Sequence, residues 1–134
     1  MQWKLEVVVV PVTDVERSKR FYSEQLGFVV DTDVVVGGMR VVQLTPPGSA
    51  CSVTIGPLVV DEVPTRSARL QLCVHDIEAA HTELRARGVP VSEIQHFQDG
   101  VSTTGRGGPY NSFVFFDDPD GNGWTVQESP LVTI

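Results

Sequence analysis

The sequence predicts an α+β fold of two βαβββ modules, their sheets forming a curved mixed-sheet trough with the helices on the outer face. Three observations point there. First, Val7-Val-Val-Val-Pro-Val-Thr-Asp-Val-Glu-Arg-Ser18 can be laid on Arg69-Leu-Gln-Leu-Cys-Val-His-Asp-Ile-Glu-Ala-Ala80 at a constant offset, so the chain carries an internal repeat. Second, each copy reads as an apolar run, a capping residue and an amphipathic stretch closed by glycine, with three strand-like runs behind it. Third, 134 residues at 41% hydrophobic and 20% charged suffice for one domain with a real core and exclude a disordered chain.

In the first copy, Val7–Val12 is short and rich in β-branched residues, which favours a strand. Thr13-x-x-Glu16 matches a capping box, with Asp14 as an alternative cap. Val15, Ser18, Phe21, Tyr22 and Leu26 then recur at helical spacing up to Gly27. Three strands follow. They are Phe28–Val36, Met39–Leu44 after the Gly37-Gly38 turn, and Cys51–Ile55 after Thr45-Pro-Pro-Gly-Ser49.

Pro57–Arg66 holds two prolines and little pattern, so it reads as a linker. The expected organisation is one domain over 1–134, with module one about 1–57, a linker about 58–66 and module two about 67–134. In the second copy Ile77, Ala80, His81 and Leu84 form the helical stripe, and Gly88 ends it. Strands are expected at Val89–Ile94, Ser112–Phe116 and Trp124–Glu128, the last two joined by Asp117-Asp-Pro-Asp-Gly-Asn-Gly123. His96–Tyr110 reads as a long glycine-containing loop, a kind that is usually functional or mobile.

Charge narrows the partners. Seventeen acidic against ten basic side chains give a net charge of −7, which repels phosphate backbones and anionic lipid. Neither nucleic acid nor membrane is expected as a partner. The longest apolar run, Val7–Val12, is far short of the roughly 20 residues of a spanning helix. Met1–Glu6 has no charged segment leading into an apolar one, so no secretory signal is read and a cytoplasmic location is expected. Cys51 and Cys73 lie in apolar strand-like runs without a CxxC spacing, and read as small buried hydrophobes, reduced.

Three stretches make the chain resemble the vicinal oxygen chelate superfamily, which groups glyoxalase I, bleomycin-resistance proteins and extradiol dioxygenases. They are Pro11–Phe28 (PVTDVERSKRFYSEQLGF), Val74-His-Asp-Ile-Glu-Ala-Ala80 through Arg87-Gly88, and Asp118-Pro-Asp-Gly-Asn122. The resemblance implies the two-module fold and a homodimer. In metal-dependent members it also implies four strand positions that hold one divalent ion. Those positions fall here on Val7, Thr54, Arg69 and Thr125. A divalent site wants imidazole, carboxylate or thiolate donors, and none of the four supplies one. No metal and no cofactor are therefore expected. A one-residue strand slip would swap faces and offer Glu6 and Glu128 as acid candidates. His75, His81 and His96 fall at a strand–helix junction, on a helix and at a loop start, places that suit a cap, a core edge or a surface residue rather than a ligand. Gly105-Arg-Gly-Gly108 lacks the strand–helix context of a phosphate loop.

With that register, period-2 alternation names the inner face of the trough. It carries Leu5, Val7 and Val9, then Ser52 and Thr54, then Arg69, Gln71 and Cys73, then Thr125 and Gln127. Phe113 and Phe115 are candidate stacking surfaces, and Tyr110 at the end of the long loop is a candidate lid. Arg69 suits a carboxylate, phenolate or quinone-type oxygen. The favoured reading is a protein that binds and sequesters a hydrophobic, oxygen-bearing small molecule, aromatic or polycyclic in character and with antibiotics among the candidates. Two enzymatic alternatives stay open: a metal-dependent lyase, isomerase or dioxygenase with misaligned ligands, and a metal-free enzyme using Arg69, Glu6 or Tyr110.

Overall fold

A computed structural model describes residues 1–56, 59–63 and 69–132. The chain divides into two compact units, Met1–Arg66 with Pro119–Asn122, and Ser67–Asp118 with Gly123–Ile134. Each is a mixed sheet with one helix packed on one of its faces. The observed class is α+β, as the sequence predicts.

The first unit runs β1 Val7–Val9, α1 Val15–Arg20, a π-helical turn Phe21–Gln25, β2 Val29–Val36, β3 Met39–Thr45 and β4 Ser52–Ile55. Its strand order is β1-β4-β3-β2, with β1 and β4 parallel and the other pairs antiparallel. The second unit runs β5 Leu70–Val74, α2 Ile77–Ala86, β6 Gln95–Gln98, β7 Val101–Thr104, β8 Phe113–Asp117 and β9 Gly123–Glu128. Its order is β5-β9-β8-β6-β7, again with a single parallel pair, β5 with β9. The repeat thus extends to topology, and β7 is a strand added at the outer edge.

Both helices start on an aspartate. Asp14 and Asp76 have extended backbones, φ −138° and −136°, and their carboxylates accept from Arg17 N–H and from Glu78 and Ala79 N–H. Such caps satisfy donors that the first helical turn leaves without partners. The capping box expected of Thr13 does not form. Its backbone N–H and hydroxyl instead donate to Asp120, which also accepts from Arg17 at 2.8 Å. α1 is shorter than the sequence stripe suggests, because the chain passes into the π-helical turn before Gly27, whose φ of +75° ends the segment.

Two sequence expectations fail in the second unit. Val89–Ile94 is not a strand. Pro90 has no N–H to give a ladder, and the segment meets β8 where Ser92 N–H donates to the Phe115 carbonyl and Phe115 N–H to the Ser92 hydroxyl. The long loop at 96–110 is not all loop either. It holds most of the β6–β7 hairpin, turned by Asp99 and Gly100 with φ of +51° and +76°. Two consecutive left-handed residues give the turn twist that hairpins favour. Of the expected linker, residues 58 and 64–66 lie outside the described residues, while Val59 bridges Val12 in parallel.

Each unit has its own core on the helix side of its sheet. In the first, Val12, Tyr22, Val42, Leu44 and Ile55 are fully buried, and Tyr22 contacts Phe21 and Phe28 at centroid distances of 5.2 and 5.7 Å. In the second, Ile77, Val114, Phe116, Trp124 and Val126 are buried, with Phe116 and Trp124 stacked at 6.2 Å and 3°. Each such side chain contributes roughly 1.5–3 kcal/mol of transfer free energy. The opposite face of each sheet carries no helix and is where the candidate site residues fall.

Candidate functional site

On the open face of the first unit, Val7 and Val9 are each 42% exposed, while Val10, on the helix side, is buried. Register sets Val7 beside Ser52 and Val9 beside Thr54, with Gln43 next to Thr54. Ser52 and Thr54 share that face but are 8% exposed, and the Ser52 and Thr45 hydroxyls lie 2.6 Å apart. The face continues along β2 and β3 through the pairs Val34–Val41 and Val36–Met39. The sequence reading missed this extension, although the alternation within Val29–Val36 carries the signal.

The open face of the second unit brings most of the predicted residues together. Gln71, Thr125 and Phe115 are adjacent across β5, β9 and β8, and so are Cys73, Gln127 and Phe113 one step along. Phe113 and Phe115 stack at 6.2 Å with 10° between their planes. Phe97 of β6 meets Phe113 edge-on at 5.5 Å and extends the aromatic row. Phe97 lies in the segment read as loop, so alternation did not reach it; the Asp99-Gly100 turn signal would have. Thr125 is 6% exposed, and Cys73 is exposed rather than buried, because strand alternation turns it with Gln71 away from the helix.

Polar contacts line the aromatic row. Gln71 Nε2 donates to Gln127 Oε1 at 2.9 Å, and Gln127 Nε2 donates to the Tyr110 carbonyl at 2.8 Å. Tyr110 adopts φ +61°, a conformation uncommon outside glycine, and is 44% exposed. The Arg69 guanidinium lies over Phe115 with its carbon 5.7 Å from the ring centroid, and its Nη1 donates to the Trp124 carbonyl at 3.1 Å. It passes across Gly123, where an added Cβ would come within 2.9 Å of Cζ. An open cleft of about 470 Å³ is lined by Arg69, Pro90, Phe115, Phe116, Asp117 and Asp118.

The positions that the resemblance assigns to a metal hold an aliphatic side chain at Val7, hydroxyls at Thr54 and Thr125, and a cation at Arg69. This donor set does not fit a divalent ion. Among the described residues no group of three or more His, Cys, Asp or Glu could hold one elsewhere. The slipped register is not adopted in the second unit. Glu128 pairs with Val74 and turns to the helix side, where its carboxylate accepts from Ile77 N–H at 2.9 Å and Arg106 at 2.6 Å. Burial pushes this carboxyl up, but the Ile77 N–H and the Arg106 guanidinium outweigh it and hold it below its ordinary value. Glu6 precedes β1, and its backbone carbonyl accepts from Ser52 N–H. His75 and His96 make ring contacts to the Val132 and Gly105 carbonyls, while His81 Nε2 is buried without a partner among the described residues.

A duplicated βαβββ unit, extended by β7 in its second copy, with each helix on one side of its sheet and an open face on the other, defines a class of α+β proteins built by module repetition. The Glyoxalase/Bleomycin resistance protein/Dioxygenase superfamily profile matches residues 4–126. The chain belongs to that superfamily. Among solved structures it is similar to TnmS3, an antibiotic binding protein from Streptomyces sp. CB03234, at 30% identity and a TM-score of 0.72, covering 96% of this chain and 97% of that one. It is also similar to a glyoxalase/bleomycin resistance protein from the same strain, at 30% identity and a TM-score of 0.68, covering 92% of this chain and 99% of that one. A Glyoxylase-like domain-containing protein from Didymella fabae is 26% identical over 126 residues, 92% of this chain and 91% of its own. No helix among the described residues is long and apolar enough to cross a membrane.

Proposed function

We propose that this protein binds a hydrophobic, oxygen-bearing small molecule, of the kind antibiotics exemplify, and returns it unchanged without a metal. The observation that carries the reading is the Phe97–Phe113–Phe115 row flanked by the Gln71–Gln127 amide pair. Aromatic rings offer a flat ligand about 0.5–1.5 kcal/mol per contact beyond area burial, and amides offer both donors and acceptors to its oxygens. The donor set at Val7, Thr54, Arg69 and Thr125 leaves no Lewis acid for the chemistry its relatives' superfamily name includes. The 30% identity to an antibiotic binding protein supports the same direction. On this reading the protein acts as a cytoplasmic homodimer; two free thiols suit a reducing compartment.

The test is incubation of the purified protein with whatever small molecule co-purifies with it, and with a panel of aromatic antibiotics, followed by chromatography. Saturable binding with intact recovery supports sequestration. Conversion with many turnovers per chain would transfer the assignment to a lyase, isomerase or dioxygenase.

A further inference from the structure

We infer that the ligand is a flat aromatic monoanion, its rings along Phe97, Phe113 and Phe115 and its carboxylate or phenolate oxygen on Arg69, with Gly123 as the residue that positions the guanidinium. This rests on the binding reading above and specifies the ligand's charge. The arginines that brace the fold each have a carboxylate at hand: Arg17 has Asp120 at 2.8 Å, Arg40 has Glu16 at 2.6 Å and Asp33 at 2.8 Å, and Arg106 has Glu128 at 2.6 Å. Arg69 has none among the described residues. Its contacts are the Phe115 ring and the Trp124 carbonyl.

Those two contacts hold the guanidinium by its charge over the Phe115 ring and by one N–H. Among the described residues, four of its five donors have no partner and remain for a ligand. A cation held in place loses less entropy on binding than a free surface arginine does, and its planar fork matches a carboxylate. Its seat exists because residue 123 has no side chain, since a Cβ there would overlap Cζ, Nη1 and Nη2 at 2.9–3.2 Å. The cation ends the aromatic row, so one flat molecule reaches both. Asp117 and Asp118 line the same cleft, and the chain carries a net −7. Both features oppose any anion and oppose a phosphate dianion about twice as strongly, so a monoanion is the charge that Arg69 can offset.

Naphthalene-2-carboxylate and its neutral amide, naphthalene-2-carboxamide, are isosteric fluorescent probes for titration against the intact protein at neutral pH. The carboxylate is expected to bind tighter by roughly fivefold or more, a modest ratio because Arg69 is exposed to solvent. Arg69→Gln removes that preference and leaves the amide's affinity as it was. Gly123→Ala reduces it in the same way, because the three atoms nearest the new methyl are all at the movable end of Arg69. Phe115→Leu weakens both probes together. Equal binding of the two probes by the wild-type protein, or an unchanged ratio in Arg69→Gln, overturns the anion assignment and leaves the binding reading standing. Saturable binding of neither probe overturns both.

Discussion

Phe115 and Phe116 are consecutive in the chain and do opposite things. Phe116 is 4% exposed and stacks on Trp124 in the core, while Phe115 lies on the open face between Phe113 and the Arg69 guanidinium. Strand pleating separates the two rings. Phe116→Ala should cost about 3–5 kcal/mol of stability. Phe115→Ala should cost under about 1 kcal/mol and yet lose ligand affinity. Urea unfolding beside a binding titration checks both; a large stability loss in Phe115→Ala would place that ring in the core instead.

Asp120 is the centre of a polar cluster in the first unit. Its side chain is 3% exposed and accepts from Thr13, Arg17 and Ser18. Removing it strands several donors, so Asp120→Ala should cost roughly 1.5–3 kcal/mol. Arg17→Ala should cost less, since Arg17 is 45% exposed and its loss leaves Asp120 with Thr13. The ordering of the two urea midpoints is the measurement, and equal midpoints would contradict it.

Glu128 makes stability depend on pH in a defined sense. Its carboxyl is more acidic in the folded chain than in the unfolded one. The stability it contributes is therefore fully present above the unfolded value of about 4.3 and is lost as pH falls through the lower folded value. Glu128→Gln should cost about 1 kcal/mol at neutral pH and flatten this acid limb. Midpoints for wild type and variant should converge in acid, and a gap that persists or widens there refutes the assignment.

Metal content separates binding from metal-dependent catalysis directly. Protein purified without a histidine tag should carry no stoichiometric zinc, nickel, iron or manganese by plasma mass spectrometry, and ligand affinity should be unchanged by a chelator. A stoichiometric metal, lost on replacing Glu6, would show that the ligand positions lie elsewhere.

The sequence exposes local signals and conceals distant ones. The strand–cap–helix openings at Val7 and Arg69 are legible because Asp14 and Asp76 act on N–H groups two or three residues away. The open face of the second unit is legible because alternation along β5, β8 and β9 is short-range. Alternation names a face but not what covers it, so the burial of Ser52, Thr54 and Thr125 cannot be read. The partnership of Thr13 with Asp120 spans 107 residues and leaves no local trace, which is why a capping box stands in its place in the sequence reading. The β6–β7 hairpin is a different failure: the Asp99-Gly100 signal is present, and a loop-length reading of 96–110 passes over it.

Each unit keeps its core on the helix side and its chemistry on the other, and this separation governs how such a protein changes over generations. On the binding reading proposed above, substitutions at Phe113, Phe115 or Gln71 would alter what is recognised while touching few of the contacts that hold the sheet to its helix. Most mutations destabilise, and proteins sit close to the threshold below which they fail. A surface that can be rewritten without approaching that threshold admits many trials. A scaffold that keeps its open face apart from its core is thus suited to lineages whose chemical surroundings keep changing.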